Sequence, residues 1–295
     1  MEIQQVGVVG LGAMGSGIVN VVSKAGIRVV AVKATGGDTS KARKDFEAGI
    51  DKEVSRGKLA IYKANAAKNG VTWAAGLDEL KDCDLIIESI VEELDKKNDL
   101  FSKLDRIVKP EGIFTTNTST IGIDQMASAV KRADKFAGLH FFNPAPVMGL
   151  VEVITGSRTS GDTKNSLVSF CKDVNKSPVP LASAPGFIVN RLLVPYLVDS
   201  IRLMEQGVSN PADIDTAMKL GCNHPMGPFE LSDYIGLDIV KHMADILHSE
   251  LKEERLKSPP SLVKLVAKGD LGRKSGKGYY DYSGGGQKVN PDAKA

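Results

Sequence analysis

Three glycines in the spacing Gly10-Leu-Gly12-Ala-Met-Gly15 restrict this chain more than anything else in it. They follow a short β-branched run at residues 6–9 and open an apolar pattern at helical spacing. At a strand-to-helix junction the first glycine permits a tight turn. The second lets the backbone approach a pyrophosphate, and the third lets helix and strand pack closely. The helix N-terminus then offers its free N–H groups to the phosphates. The motif predicts a dinucleotide site with Gly10, Gly12, Ala13, Met14 and Gly15 as cofactor contacts. A glycine-rich turn without a ligand is the plain alternative.

The rest of the first half fits that frame. Strand candidates at residues 6–9, 28–32, 84–87, 113–116 and 136–142 alternate with longer helical patterns. Such alternation implies a parallel sheet. From about Gly186 the chain reads instead as long apolar helices, at residues 187–205, 211–220, 229–248 and 261–267. The expected fold class is therefore α/β: a Rossmann-like N-terminal domain with a parallel-sheet core at 1–184, then an all-helical C-terminal domain at 185–295. The 187–205 segment is apolar on almost every face, which predicts burial within its own domain or against a second subunit. The charge-rich run at 41–68 predicts an exposed helix or helical hairpin after the second strand. The Ser283-Gly-Gly-Gly286 run is expected to fray.

The 38 Lys and Arg nearly balance the 36 Asp and Glu, so bulk charge calls for neither nucleic acid nor an anionic membrane as the main partner. Any anion site must be a local cluster. Cys83, Cys171 and Cys222 show no CxxC spacing, which argues against a disulfide framework and against a zinc site, so no metal is expected. The N-terminus lacks a basic region followed by an apolar core and cleavage site, and no uncharged apolar run is long enough to span a bilayer. The expectation is a cytoplasmic protein.

An NAD site normally places Asp or Glu at the end of the second strand, where the carboxylate binds the adenosine ribose. Between Gly10 and Gly37 there is no acidic residue, and the expected position holds Lys33, followed by Ala34 and Thr35. A cation and a hydroxyl suit a 2′-phosphate. NADP is thus favoured over NAD, with Lys33 as charge partner and Thr35 as hydrogen-bond donor. In the other reading Lys33 is a solvated strand-end lysine and NAD binds through other contacts.

Only four histidines occur. His140 falls at the C-terminal end of a predicted parallel strand, the edge at which open α/β sheets bind ligands, whereas His224, His242 and His248 fall in the helical half. Imidazole suits removal of a hydroxyl proton as hydride leaves the same carbon. A strand-end histidine with only a structural role is the alternative.

Five stretches carry a more specific signal: Asn117-Thr-Ser-Thr120; His140-Phe-Phe-Asn-Pro-Ala-Pro-Val-Met148 with Val151-Glu-Val153; Pro185-Gly-Phe-Ile-Val-Asn-Arg191; Asn223-His-Pro-Met-Gly-Pro228; and Leu271-Gly-Arg-Lys-Ser-Gly-Lys-Gly-Tyr-Tyr280. In order and content the chain resembles the 3-hydroxyacyl-CoA dehydrogenases, particularly the short, single-function type that includes 3-hydroxybutyryl-CoA dehydrogenase. The resemblance implies oxidoreduction between an (S)-3-hydroxyacyl-CoA and a 3-ketoacyl-CoA, and a homodimer formed through the helical domain. It assigns His140 and Glu152 as the acid–base pair. Ser119 and Asn190 would hydrogen-bond the reacting oxygen and the thioester region, with Asn190 reaching in from the second domain. Glu92, Lys97, Asn117, Ser119, Asn143 and Lys274 would line the nicotinamide half of the cofactor site. The phosphates of CoA would fall to Lys52, Ser55, Arg56 and Lys58, in a stretch shorter than the family's usual lysine-rich one. That charge run also reads as an ordinary solvated face.

Two rivals remain. The glycine motif with Lys24-Ala-Gly26 is also similar to the β-hydroxyacid dehydrogenases, which act on free hydroxy acids, but their lysine pattern is absent from Pro185-Gly-Phe-Ile-Val-Asn-Arg191. A non-catalytic structural relative would keep the dinucleotide fold, and the intact set of Ser119, His140, Glu152 and Asn190 argues against it.

Overall fold

In a computed structural model describing residues 2–284 and 286–293, the chain divides into a first unit ending at Phe187 and a second beginning at Ile188. In the first, the strands are β1 (Gln5–Val9), β2 (Arg28–Val32), β3 (Val71–Ala74), β4 (Leu85–Glu88), β5 (Ile113–Thr116), β6 (Phe136–Phe141), β7 (Leu150–Thr155) and β8 (Ser177–Ala182). They form one eight-stranded sheet in the order β3-β2-β1-β4-β5-β6-β7-β8. Every neighbouring pair is parallel except β6 and β7, which run antiparallel.

Helices α1 (Ala13–Lys24), α2 (Ser40–Ser55), α3 (Ile61–Asn69), α4 (Leu94–Ile107), α5 (Ile123–Ala127) and α6 (Gly161–Asp173) complete this unit. Alternate strand residues divide between two cores. Val6, Val8, Val29 and Ala31 pack with Ile18, Val19 and Val22 of α1, while Val9, Val30, Val32 and Ile86 pack with Leu100, Phe101 and Leu104 of α4. A sheet covered on both faces needs near-continuous apolar strands, which is why these runs read so plainly in sequence. The charge-rich stretch after β2 is a helical hairpin, α2 and α3, carrying few buried side chains.

β8 is less obvious because it contains Pro178 and Pro180. Ser177 N–H donates inward to Gly149, so the alternate prolines lie on the free edge, where a missing N–H costs nothing.

The second unit comprises α7 (Val189–Glu205), α8 (Pro211–Cys222), α9 (Pro228–Ile235), α10 (Leu237–Leu251) and α11 (Pro260–Lys268), with a two-stranded antiparallel ribbon of β9 (Tyr280–Asp281) and β10 (Lys288–Val289). α7 is buried on two faces within its own unit. Leu197, Ile201 and Met204 meet Phe229, Leu262 and Tyr279, and Val194 and Val198 meet Met243, Leu247 and Leu256. The single helix expected at 229–248 is two helices. Gly236 breaks it with φ of +105°, and a Cβ there would lie 2.9 Å from Lys274 Nζ.

The glycine run expected to fray is bracketed by hydrogen bonds: Ser283 is tied to Asp281, and buried Asn290 is tied to Gly278 and Tyr279. Gly285 within it lies outside the described residues. No described helix is long and apolar enough to cross a membrane.

Candidate active site

The order of strands reverses between β1 and β4, the place where open α/β sheets bind ligands at the carboxyl edge. The glycine motif lies there. Gly10 has φ of +100°, and a Cβ on it would fall 2.3 Å from Ser89 O across the crevice. A Cβ on Gly15 would lie 1.8 Å from Gly10 O, whereas one on Gly12 would meet nothing within 4 Å. Gly10 and Gly15 are thus demanded by the protein's own packing, whereas Gly12 borders open space that leaves room for a ligand to approach the backbone. α1 opens at Ala13 and Met14 with no capping side chain and no acid in its first turn, leaving its N–H groups for an anion. These residues fit a dinucleotide pyrophosphate.

At the end of β2, Lys33 is half-buried and Thr35 exposed. Asp38, one residue beyond the acid-free stretch, lies within reach of Lys33. Hydrogen bonds from Ser40 N–H and Oγ, with the charges of Lys33 and Lys44, hold its carboxyl below the usual range.

Antiparallel pairing sets His140 of β6 directly opposite Glu152 of β7. His140 Nδ1 lies 2.8 Å from Glu152 Oε2, and both residues are buried. A carboxylate only accepts, so Nδ1 carries a proton, and in the neutral ring Nε2 is left to accept. Nε2 faces Ser119 Oγ at 3.1 Å. The rings of Phe142 and Phe187 stand 4.5 Å and 5.7 Å from the imidazole and limit water around it. Phe187 does so with φ of +53°, a backbone region uncommon for a bulky residue.

Beside this pair lies a second charged group. Lys97 is fully buried, with Nζ 2.7 Å and 2.9 Å from the two oxygens of Glu88 and 3.1 Å from Glu92 Oε2. The other Glu92 oxygen accepts from Thr118 Oγ1, from the N–H groups of Ser119 (3.0 Å) and Thr120 (3.3 Å), and from Thr120 Oγ1 (3.0 Å). Burial by itself would raise the Glu92 carboxyl, but the Lys97 charge and these hydroxyls outweigh it and hold it below the usual range. Asn117 Oδ1 accepts from Phe141 N–H at 2.8 Å, pinning the strand end that carries His140.

The structure therefore brings together Ser119, His140, Glu152, Glu92, Lys97 and Asn117. Asn143 follows on the exposed loop after β6. Lys52, Ser55, Arg56 and Lys58 lie apart, exposed at the end of α2 and the turn after it. Among the described residues none of the three cations has a carboxylate within ion-pair distance. Asn190 lies half-buried in the first turn of α7, and Lys274 is ion-paired with Asp238 at the start of α10. Glu88, Thr118, Thr120 and Phe187 are site neighbours that reading by residue type did not single out.

A surface cavity of about 750 Å³ opens at the opposite edge of the sheet, where five carboxylates, Glu2, Glu111, Asp134, Asp162 and Asp173, outnumber the single lysine, Lys135, in its lining. Its carboxylates would repel phosphates, so it does not suit a dinucleotide or CoA. Among the described residues, no group of three or more His, Cys, Asp or Glu is placed to hold a metal ion.

The chain resembles known proteins over nearly its whole length. Residues 5–184 match the family model described as the NAD binding domain of 3-hydroxyacyl-CoA dehydrogenase, and residues 186–282 match its C-terminal domain. The chain is 46% identical to the mitochondrial hydroxyacyl-coenzyme A dehydrogenase of Homo sapiens, over 95% of this chain and 91% of the relative. It is 41% identical to the 3-hydroxybutyryl-CoA dehydrogenase of Clostridioides difficile, over 94% and 98% respectively. Among solved structures, the (S)-3-hydroxybutyryl-CoA dehydrogenase of Ralstonia eutropha superposes with a TM-score of 0.92 at 37% identity, covering 96% of this chain and all of that one.

Proposed function

The chain belongs to the 3-hydroxyacyl-CoA dehydrogenase family, and from that premise we propose that it interconverts an (S)-3-hydroxyacyl-CoA, 3-hydroxybutyryl-CoA first, and the matching 3-ketoacyl-CoA. The observation that carries this reading is the Ser119–His140–Glu152 array at the carboxyl edge of a dinucleotide-binding sheet. In oxidation His140 Nε2 takes the proton of the substrate hydroxyl, and in reduction it returns that proton to the carbonyl oxygen. Glu152 holds the tautomer and stabilises the imidazolium. Ser119 Oγ is placed to donate to the same oxygen as negative charge gathers on it. A bound nicotinamide would supply or accept the hydride.

We assign Gly10, Gly12, Ala13, Met14 and Gly15 to the pyrophosphate, and Glu92, Lys97, Asn117, Asn143 and Lys274 to the nicotinamide half. Lys52, Ser55, Arg56 and Lys58 take the CoA phosphates and Asn190 the thioester region. The boundary between domains falls at 184/185: the first domain binds the dinucleotide and also carries the acid–base pair and the residues for the CoA phosphates, and the helical second domain completes the substrate site through Asn190 and serves self-association. Support for a homodimer comes from the apolar side chains that α7 leaves outside its two cores, Leu192 and Leu203. NADP is favoured by Lys33 and Thr35. Asp38 gives NAD a physical basis of its own, since its carboxylate is a group that a ribose diol could use.

The test is initial rates with NADPH and NADH on acetoacetyl-CoA and on free 3-hydroxyisobutyrate with the oxidised cofactors. Turnover of the thioester, faster with NADPH, is expected. Faster turnover with NADH removes only the Lys33 assignment. Turnover of the free acid alone would identify a β-hydroxyacid dehydrogenase, and none with any pair a non-catalytic relative.

A further inference from the structure

Resting on that functional reading, we infer that Glu88 is a positioning residue: through Lys97 it fixes Glu92, and through Glu92 the backbone of Ser119, whose hydroxyl meets His140 Nε2. Glu88 ends β4, fully buried, with both oxygens saturated. Oε1 accepts from Lys97 (2.7 Å) and Ile90 N–H (2.7 Å), and Oε2 from Lys97 (2.9 Å) and Thr116 Oγ1 (2.6 Å). Lys97 Nζ thus has three acceptors for its three protons among the described residues, the two Glu88 oxygens and Glu92 Oε2 at 3.1 Å. With that oxygen held from one side, the other Glu92 oxygen is left facing the 118–120 turn. The Glu88 carbonyl adds a second line, accepting from Asn117 N–H at 2.8 Å, and Asn117 in turn holds Phe141 N–H.

Charge makes this more than scaffolding. Two carboxylates share one buried ammonium, and a buried cation with only one partner must draw that partner in. Glu88→Gln keeps the volume: the amide oxygen can still accept from Ile90 and Lys97 and the amide N–H₂ can donate to the Thr116 hydroxyl, but the second bond from Lys97, at 2.9 Å, is lost because N–H₂ cannot accept it. It removes the charge that competes with Glu92 for Lys97. Glu92 is then pulled toward Lys97 and away from the Ser119 and Thr120 amides, which moves Ser119 relative to His140 Nε2.

The test measures the dissociation constants of NADH and NADPH by fluorescence titration, kcat and KM for acetoacetyl-CoA, and the thermal midpoint, for wild type and Glu88→Gln. The preferred cofactor should bind about tenfold more weakly and kcat should fall about tenfold, with KM for acetoacetyl-CoA within about twofold and the fold retained. A folded variant whose cofactor dissociation constant and kcat stay within about twofold of wild type overturns the inference. Should Glu88→Gln not fold, Thr116→Val decides. It keeps every charge, frees Glu88 Oε2 from one donor, and is expected to shift both quantities about threefold in the same direction; no shift overturns the role. A wild-type chain without thioester turnover would refute the functional reading separately, and the cofactor titration would still test Glu88.

Discussion

Replacing Glu152 with Gln changes one charge and one donor–acceptor pattern in a buried pair while leaving its volume almost unchanged. Glu152 is 1% exposed and its Oε2 lies 2.8 Å from His140 Nδ1, so solvent screens the interaction little. A hydrogen bond between charged partners contributes about 1.5–3 kcal/mol, and more where both are buried. The imidazolium forms as the substrate proton is taken, so kcat for 3-hydroxybutyryl-CoA oxidation should fall by about tenfold to a thousandfold. Burial places the expectation near the upper end. A second effect acts in the same direction: a Gln amide donating to Nδ1 would put the ring proton on Nε2, where it cannot accept the hydroxyl proton. The assay follows nicotinamide absorbance at saturating cofactor and varied acyl-CoA, with circular dichroism to show a native fold. KM should change little, because Glu152 faces the imidazole and not the substrate. A natively folded variant with kcat within about twofold of wild type would show that the Glu152 charge does not stabilise the imidazolium.

The glycine motif predicts two different failures. Gly15→Ala drives a Cβ into Gly10 O and should lower stability by about 1–3 kcal/mol in denaturant titration, whereas Gly12→Ala meets no protein atom and should fold normally but bind the dinucleotide at least tenfold more weakly. Equal behaviour of the two variants would contradict this division. Acid should act oppositely on the two units. The Glu92 carboxyl is depressed, so its contribution is present above the unfolded value near ~4.3 and is lost as pH falls through the folded value. Burial lifts Asp233 to about 6, against the N–H groups of Tyr279 and Tyr280 and the Tyr282 hydroxyl that favour its charge. That contribution is full below the unfolded value near ~3.9 and is lost as pH rises through about 6, on the order of 3 kcal/mol. Hydrogen-exchange protection around α9 and β9 should therefore rise between pH 7 and pH 5, and constant or falling protection there would speak against it.

What could be read in the sequence follows the physics of each element. β1, β2 and β5 announce themselves because a sheet covered on both faces must be apolar throughout, and β8 hides because edge strands tolerate the prolines that reading by propensity rejects. His140 could be picked out by its place at a strand end, and Glu152 through a resemblance. Their direct opposition depends on the antiparallel turn between β6 and β7, which no local pattern encodes. Lys97 reads as one lysine among several on an amphipathic helix, and its complete burial becomes visible only with Glu88 and Glu92 on either side. Glu88 was disguised as the polar end of Leu85-Ile-Ile-Glu88, although a carboxylate closing a wholly buried strand was the signal available. Asp38 fell one residue past the acid-free stretch, and a loop can bring back what strand spacing excludes. The break at Gly236 was missed because apolar periodicity continues across it, while the backbone dihedral does not.

Whether His140 moves the substrate proton is decided by kcat for acetoacetyl-CoA reduction in His140→Ala beside wild type, with the cofactor dissociation constant measured on both. General acid–base catalysis by a placed side chain contributes about 10²–10⁴-fold. The expected result is a loss of kcat of at least about a hundredfold, with cofactor binding within about threefold of wild type. A natively folded variant that binds cofactor and keeps wild-type kcat would contradict that role.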